Sequence, residues 1–305
     1  MRSTCDLALA ACCLSAAVAC TPDFQSASQV TDLRVLAIRQ EAVNPDAGFA
    51  DAFVDLATAT VQTVRVTALV VDPHAQGPLV PLASVCSPTD TGRCDGPSTI
   101  KPDQPFSAPA MVQQPMYTLD VPADTIAQAL ESDDLKGFGG IRVQFSLRAD
   151  DGDTHDPVMA SKILLYTTVP DSMRNHNPEV VSLEITLDGA HYKTVADGDM
   201  FPVTAGVEYG LRPMLGTGGA GIEEYDTVDL SGNTVHLREE PRYSFFATTG
   251  VDLDRDSADE PLPGQPEPVN GLARFTASAG CGSIWVVVRD GRGGVGWIGA
   301  RCTAP

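Results

Sequence analysis

Lysine and aromatic side chains are scarce in this 305-residue sequence, and one sign of charge dominates it. Lysine occurs only at Lys101, Lys136, Lys162 and Lys193, there are two Trp, and aromatics make up 6% of the chain. Acidic side chains number 40 against 20 basic ones, a formal net charge of −20. Such a surface repels phosphates, which excludes nucleic acid as a partner and favours a well-solvated protein. After the first twenty residues no apolar run approaches the roughly 18–20 residues of a spanning helix, so a transmembrane bundle is excluded. The sequence has no G-x-S-x-G elbow. Its five histidines, His74, His155, His176, His191 and His236, are scattered among turn and polar residues. No catalytic residues are therefore assigned.

What is present begins with the amino terminus, MRSTCDLALAACCLSAAVAC. Arg2 supplies a basic start, Leu7 to Val18 an apolar stretch, and Ala17, Val18 and Ala19 a small-residue cleavage region just before Cys20. This resembles the bacterial lipobox, with Ala17 where that pattern favours Leu. The resemblance implies a signal peptide over residues 1–19 and a lipid on Cys20, with Thr21 pointing to the outer membrane of a Gram-negative cell envelope. Residues 20–31 then form a short polar tether. Stable attachment needs the several acyl chains that such processing adds, because a single chain holds only marginally.

Four of the eight cysteines lie in the leader, which leaves Cys86, Cys94, Cys281 and Cys302. An even number in an oxidising compartment predicts two disulfides, and proximity favours Cys86–Cys94 and Cys281–Cys302. For the second pair, the turn at Asp290, Gly291, Arg292 and Gly293 folds Ser283 to Arg289 back on Val295 to Arg301. With Gly291 and Arg292 at its centre, Cys281 and Cys302 fall directly opposite each other, within disulfide reach. Zinc is disfavoured because neither pair has another Cys or His nearby.

Along the chain, short alternating segments such as Thr63 to Val71 and Ile141 to Leu147 read as strands. Ala123 to Leu135 is the one helix-like stretch. The Pro-, Ser- and Asp-rich run from Gln76 to Gln114 reads as loops. Pro170 to Pro178 (PDSMRNHNP) is polar and lacks a hydrophobic pattern, so residues 170–178 read as an interdomain linker. The fold class is all-β, with two sandwiches in tandem over residues 32–169 and 179–305. Tyr243 to Gly250 and Ile284 to Gly294, and less closely Arg65 to Pro73 and Val143 to Gly152, resemble bacterial Ig-like or PKD-type modules. That resemblance implies spacer, adhesion or binding roles, and the fold alone does not decide among them.

Three local features are candidate sites. Asp252, Asp254, Asp256 and Asp259 place carboxylates at intervals that could converge on calcium, although Ser257 and Pro263 stand where an EF-hand wants Gly and Glu. A second acidic group, Asp150, Asp151, Asp153, His155 and Asp156, sits at a hairpin tip. Both also read as solvated turns. Trp285 and Trp297 flank the last turn and could stack on a sugar, or cover a core. Gly216 to Gly221 satisfies G-x-G-x-x-G but lacks the flanking strand and helix of a nucleotide site, and reads as a loop. The expectation is thus a non-enzymatic, membrane-anchored lipoprotein, a surface scaffold or binding module for an envelope protein or polysaccharide. It needs no cofactor unless calcium stiffens its loops. The alternatives are a carbohydrate-binding or adhesion module, and a hydrolase with a loop-built site.

Overall fold

A computed structural model describes residues 26–43, 48–58, 60–152, 156–217, 221–229, 231–261, 264–266, 268 and 271–304. Cys20, Asp153 and His155 lie outside the described residues, as do Pro263 and three of the positions between Gly216 and Gly221. The described chain is almost entirely strand and turn. Its first half contains β1 (Gln29–Val30), β2 (Arg34–Ala42), β3 (Ala52–Asp55), β4 (Thr60–Val61), β5 (Val64–Val71), β6 (Val80–Cys86), β7 (Val112–Gln113) and β8 (Met116–Leu119). The helix α1 (Ala123–Ser132) follows, then β9 (Ile141–Asp150) and β10 (Val158–Thr167). The second half contains β11 (Val180–Thr186), β12 (Tyr192–Val195), β13 (Met200–Pro202), β14 (Glu208–Leu215), β15 (Glu224–Val228) and β16 (Thr234–Arg238). It closes with β17 (Arg242–Thr248), β18 (Val251–Leu253), β19 (Ser257–Asp259), β20 (Ala273–Ala277), β21 (Ser283–Arg289) and β22 (Val295–Thr303).

Each half is a pair of sheets enclosing a core. In the first half, β2 and β5 with β7 and β8 face the sheet β4-β3-β10-β9-β6. Tyr117, Phe145, Leu147, Leu164 and Tyr166 fill the space between them. In the second half, β1-β17-β21-β22-β13, with β19 beside β17, faces β12-β11-β14-β20-β18 around Phe201, Phe245 and Phe275. The helix α1 presents Ile126 and Ala129 to the first core.

The two halves also share a third core, and here the sequence pattern explains the packing. A strand with one wet face alternates, whereas a strand buried on both faces reads as a continuous apolar run. In β21, Ile284, Val286 and Val288 point into the second core while Trp285 and Val287 point the other way. In β5, Val66, Ala68 and Val70 face the first core while Leu69 and Val71 face outward. A register shift between Val35 and Ala37 sends both Leu36 and Ala37 outward as well. These outward faces meet around Val30, so the inner sheets of the two halves lie back to back. The result is a four-layer stack with a buried seam at its centre.

Three expectations are revised. Residues 26–30 are not a free tether. Ser28 and Val30 are buried, and β1 pairs in parallel with β17 of the second half. Residues 170–178 are not an open linker, because Arg174 and Asn175 are buried and the segment carries a 3-10 turn at Asp171–Met173. Strands β15 and β16 form a hairpin in which Asp229 closes the turn by accepting from Ser231 and Asn233 N–H at 2.9 and 2.8 Å. The final hairpin turns through five residues rather than two, so Ser283 pairs with Arg301 and Cys302 lies opposite Gly282. Cys281 therefore sits one step beyond the ladder. It bonds Cys302 from a left-handed backbone conformation, φ 40°, with Cα atoms 5.6 Å apart.

Candidate functional site: the seam between the halves

The β21–β22 hairpin runs the length of the seam, with polar groups gathered at its turn and an aromatic cleft at its open end. At the turn, Asp290 organises the backbone. Its Oδ1 accepts from the N–H groups of Arg292, Gly293 and Gly294 at 2.7, 2.9 and 2.9 Å. Its Oδ2 accepts from Asn175 Nδ2 at 2.9 Å. Gly294 is required there, because a Cβ would come within 2.0 Å of that same carboxylate. Asn177 continues the contact, accepting from Val295 N–H at 2.9 Å and donating to the Gln40 carbonyl at 2.7 Å. Lys162 of β10 donates to the Gly293 carbonyl at 2.7 Å.

Two arginines, Arg174 buried and Arg292 half-buried, complete this lock. Arg174 pairs with Asp51 (Nε to Oδ1, 3.1 Å), donates to the Asp51 carbonyl, and stacks over Phe49 at 4.2 Å. Phe49 in turn packs on His176, ring centres 4.4 Å apart. Arg292 lies over Tyr225 at 3.8 Å and bridges Glu223 and Glu239 at 3.0 and 3.3 Å. His176 Nδ1 is 2.6 Å from Glu223 Oε1. Burial dominates the electrostatics. It raises the Asp51 carboxyl despite Arg174, and pushes Glu239 up to about 7 against the opposing pull of Arg292. It also pushes Lys162 down to about 8, with Asp290 acting the other way. Charges placed this deep persist only when paired, and removing one partner leaves the other stranded. Arg174 with Asp51, Asn175 with Asp290, Asn177 with Gln40 and Lys162 with Gly293 each join segments more than a hundred residues apart in sequence.

At the open end of the hairpin a cleft of about 260 Å³ lies between the halves, walled by Leu69, Met111 and Val112 on one side and by Trp285 and Trp297 on the other. The tryptophans do not form a surface platform. Trp285 is 3% exposed, and its indole edge lies against its cross-strand partner Gly299, where a Cβ would come within 2.6 Å. Trp297 is capped by the Arg39 guanidinium at 4.7 Å. Both tryptophans cover the shared core, which is the core-packing role, and each also lines the cleft.

The remaining sequence candidates are placed elsewhere. Cys86 and Cys94 form a disulfide with Cα atoms 5.7 Å apart, tying the end of β6 to the loop that follows. The four aspartates proposed for calcium are not gathered. Asp252 lies on β18 in an outer sheet and Asp259 on β19 in an inner one, while Asp254 is taken by Arg255 and Arg274 at 3.0 and 3.3 Å. At the hairpin tip, Asp150 accepts from Arg148 at 3.0 Å and from Gly152 N–H at 2.9 Å. Among the described residues no three His, Cys, Asp or Glu side chains are brought together in a metal-binding group. Reading the sequence assigned no buried partner to Asp51, Arg174, Asn175, Glu223, Glu239 or Arg292. The only available signal was a polar run, PDSMRNHNP, lying between two strand-rich halves. No protein-family model matches the chain, and a comparison with curated proteins finds no match either.

Proposed function

We propose that this chain is a non-enzymatic lipoprotein of the bacterial outer membrane, held by a lipid on Cys20, whose two Ig-like halves act as a single rigid scaffold or binding module. The observation that carries this reading is the fate of the segment just after the anchor. Gln29 and Val30 are hydrogen-bonded into the inner sheet of the second half, and Val30 is fully buried in the seam that the first half closes. An anchor joined to such a segment sets the position of the whole stack rather than of one domain. Six Cα–Cα steps separate Cys20 from Ser26, the first described residue. Those steps reach at most about 20 Å, which would keep the body beside the bilayer. The excess negative charge suits a surface that stays soluble while presenting loops to an envelope protein or polysaccharide.

The test is metabolic labelling with palmitate, followed by membrane fractionation. The wild type incorporates label and sediments with outer membranes, whereas Cys20→Ala does neither. A Cys20→Ala chain that matures and sediments as the wild type does would overturn the anchor. Affinity capture of the lipidated protein from its own envelope then identifies the partner.

A further inference from the structure

We propose that the cleft at the open end of the β21–β22 hairpin binds a small zwitterion with an apolar body, in the chemical class of a free apolar α-amino acid. This goes beyond the scaffold reading and does not depend on the lipid. Most of the cleft wall is apolar, with Leu69, Met111 and Val112 facing Trp285 and Trp297, so an apolar side chain displaces water there favourably. The mouth carries one charge of each sign. Arg301 is exposed, and its guanidinium has no ion pair or hydrogen bond among the described residues. Asp197, exposed and lining the cleft, accepts through Oδ1 from the Gly299 N–H at 2.8 Å, and its other oxygen has no partner among the described residues. The two charges line the same opening yet do not pair with each other. A ligand carboxylate on Arg301 and an ammonium on Asp197 satisfy both.

Two further features narrow the class. The indole N–H of Trp285 has no acceptor among the described residues, although that side chain is 3% exposed, and it lies against Gly299 on the cleft wall. It is thus a second donor for a carboxylate. A sugar is disfavoured because a stacked ring needs an open aromatic face, while Trp285 is nearly enclosed and Trp297 already carries Arg39. A long-chain acid is disfavoured because it leaves Asp197 unmatched beside a like charge. A volume of about 260 Å³ lies just under the usual range for drug-sized ligands, which suits a single amino acid.

The chain has two tryptophans and both line this cleft, so intrinsic fluorescence reports its occupancy directly. Purified protein is titrated with L-leucine and L-phenylalanine, then with 3-phenylpropionate, which lacks the ammonium, and phenethylamine, which lacks the carboxylate. The expected result is a saturable emission change with both amino acids and at least about tenfold weaker binding of each analogue. Arg301→Gln and Asp197→Asn each weaken L-phenylalanine about tenfold or more. Arg301→Lys recovers part of the loss, and all three variants melt at the wild-type temperature. Asn at 197 keeps the acceptor for Gly299, so its effect reports charge. The proposal fails if neither amino acid gives a saturable change, if the analogues bind as tightly, or if dodecanoate or N-acetylglucosamine titrates in preference. Palmitate labelling of Cys20 is a separate readout, so either proposal can fail without the other.

Discussion

Replacing Arg174 by Ala removes the cation at the centre of the polar lock, and the structure sets the scale of the loss. Arg174 is 6% exposed and its partner Asp51 is 7% exposed. Removing one member of a buried pair costs about 3–5 kcal/mol, because the other charge is left uncompensated. The Arg174 contact with Phe49 adds a smaller loss. The Asp51 carboxyl is already raised by burial, so it relieves part of the penalty by taking up a proton once Arg174 is gone. The net expectation at neutral pH is therefore near the lower bound, about 3 kcal/mol, or about 5 °C in melting midpoint for a body of this size. The penalty shrinks as pH falls, since protonated Asp51 needs no partner. Asp51→Asn combined with Arg174→Met removes both charges and restores most of the loss. Urea and thermal unfolding at two pH values measure all of these. A single-variant loss below about 1 kcal/mol, or a double variant as unstable as the sum of its parts, would refute the view that this pair holds the seam.

Glu239 gives a pH test of the same region. Its folded value is about 7 against an ordinary 4.5, so between those values the native state holds a proton that the unfolded chain has released. Stability therefore falls as pH rises through that window, by roughly 1 kcal/mol per pH unit at most. Glu239→Gln flattens that slope in urea midpoints measured from pH 4 to 8, and an unchanged slope would assign it to another group. Gly299→Ala drives a methyl into the Trp285 indole; a loss of about 1–3 kcal/mol is expected, with a shift in tryptophan emission. An Ala variant with wild-type melting and emission would mean that the indole moves aside freely. Replacing Cys281 and Cys302 by Ser opens a loop of sequence separation 21 and lowers stability by about 3 kcal/mol, read from the urea midpoint. No change in that midpoint would show the bond to be dispensable.

The strands themselves were legible because alternation leaves a mark at every position. β5, β9, β21 and β22 all fall where period-two patterns or apolar runs predict them. The seam left its mark too, in the unbroken Ala68 to Val71 and Ile284 to Val288, whose meaning is burial on both faces. What composition cannot reveal is which polar residues find buried partners. Arg174, Asn175 and Asn177 look like linker chemistry because their partners, Asp51, Asp290 and Gln40, lie 115 to 137 residues away. Proximity in sequence was enough to pair the cysteines of both disulfides, whereas the register argued for Cys281–Cys302 was one residue off. A five-residue turn and a two-residue turn share the same Asp-Gly signal, and only the Asp290 hydrogen bonds separate them.

The claim on which the rest stands is that the two halves form one rigid stack around a buried seam. It is tested most directly by the distance between two spin labels, at Arg142→Cys on the outer face of β9 and Thr194→Cys on β12, both exposed positions in opposite halves. Pulsed electron resonance on the mature protein is predicted to give one narrow distance distribution in the wild-type background, broadened by Arg174→Ala. A broad or two-peaked distribution in the otherwise unaltered chain would mean that the halves move independently, and would contradict the account.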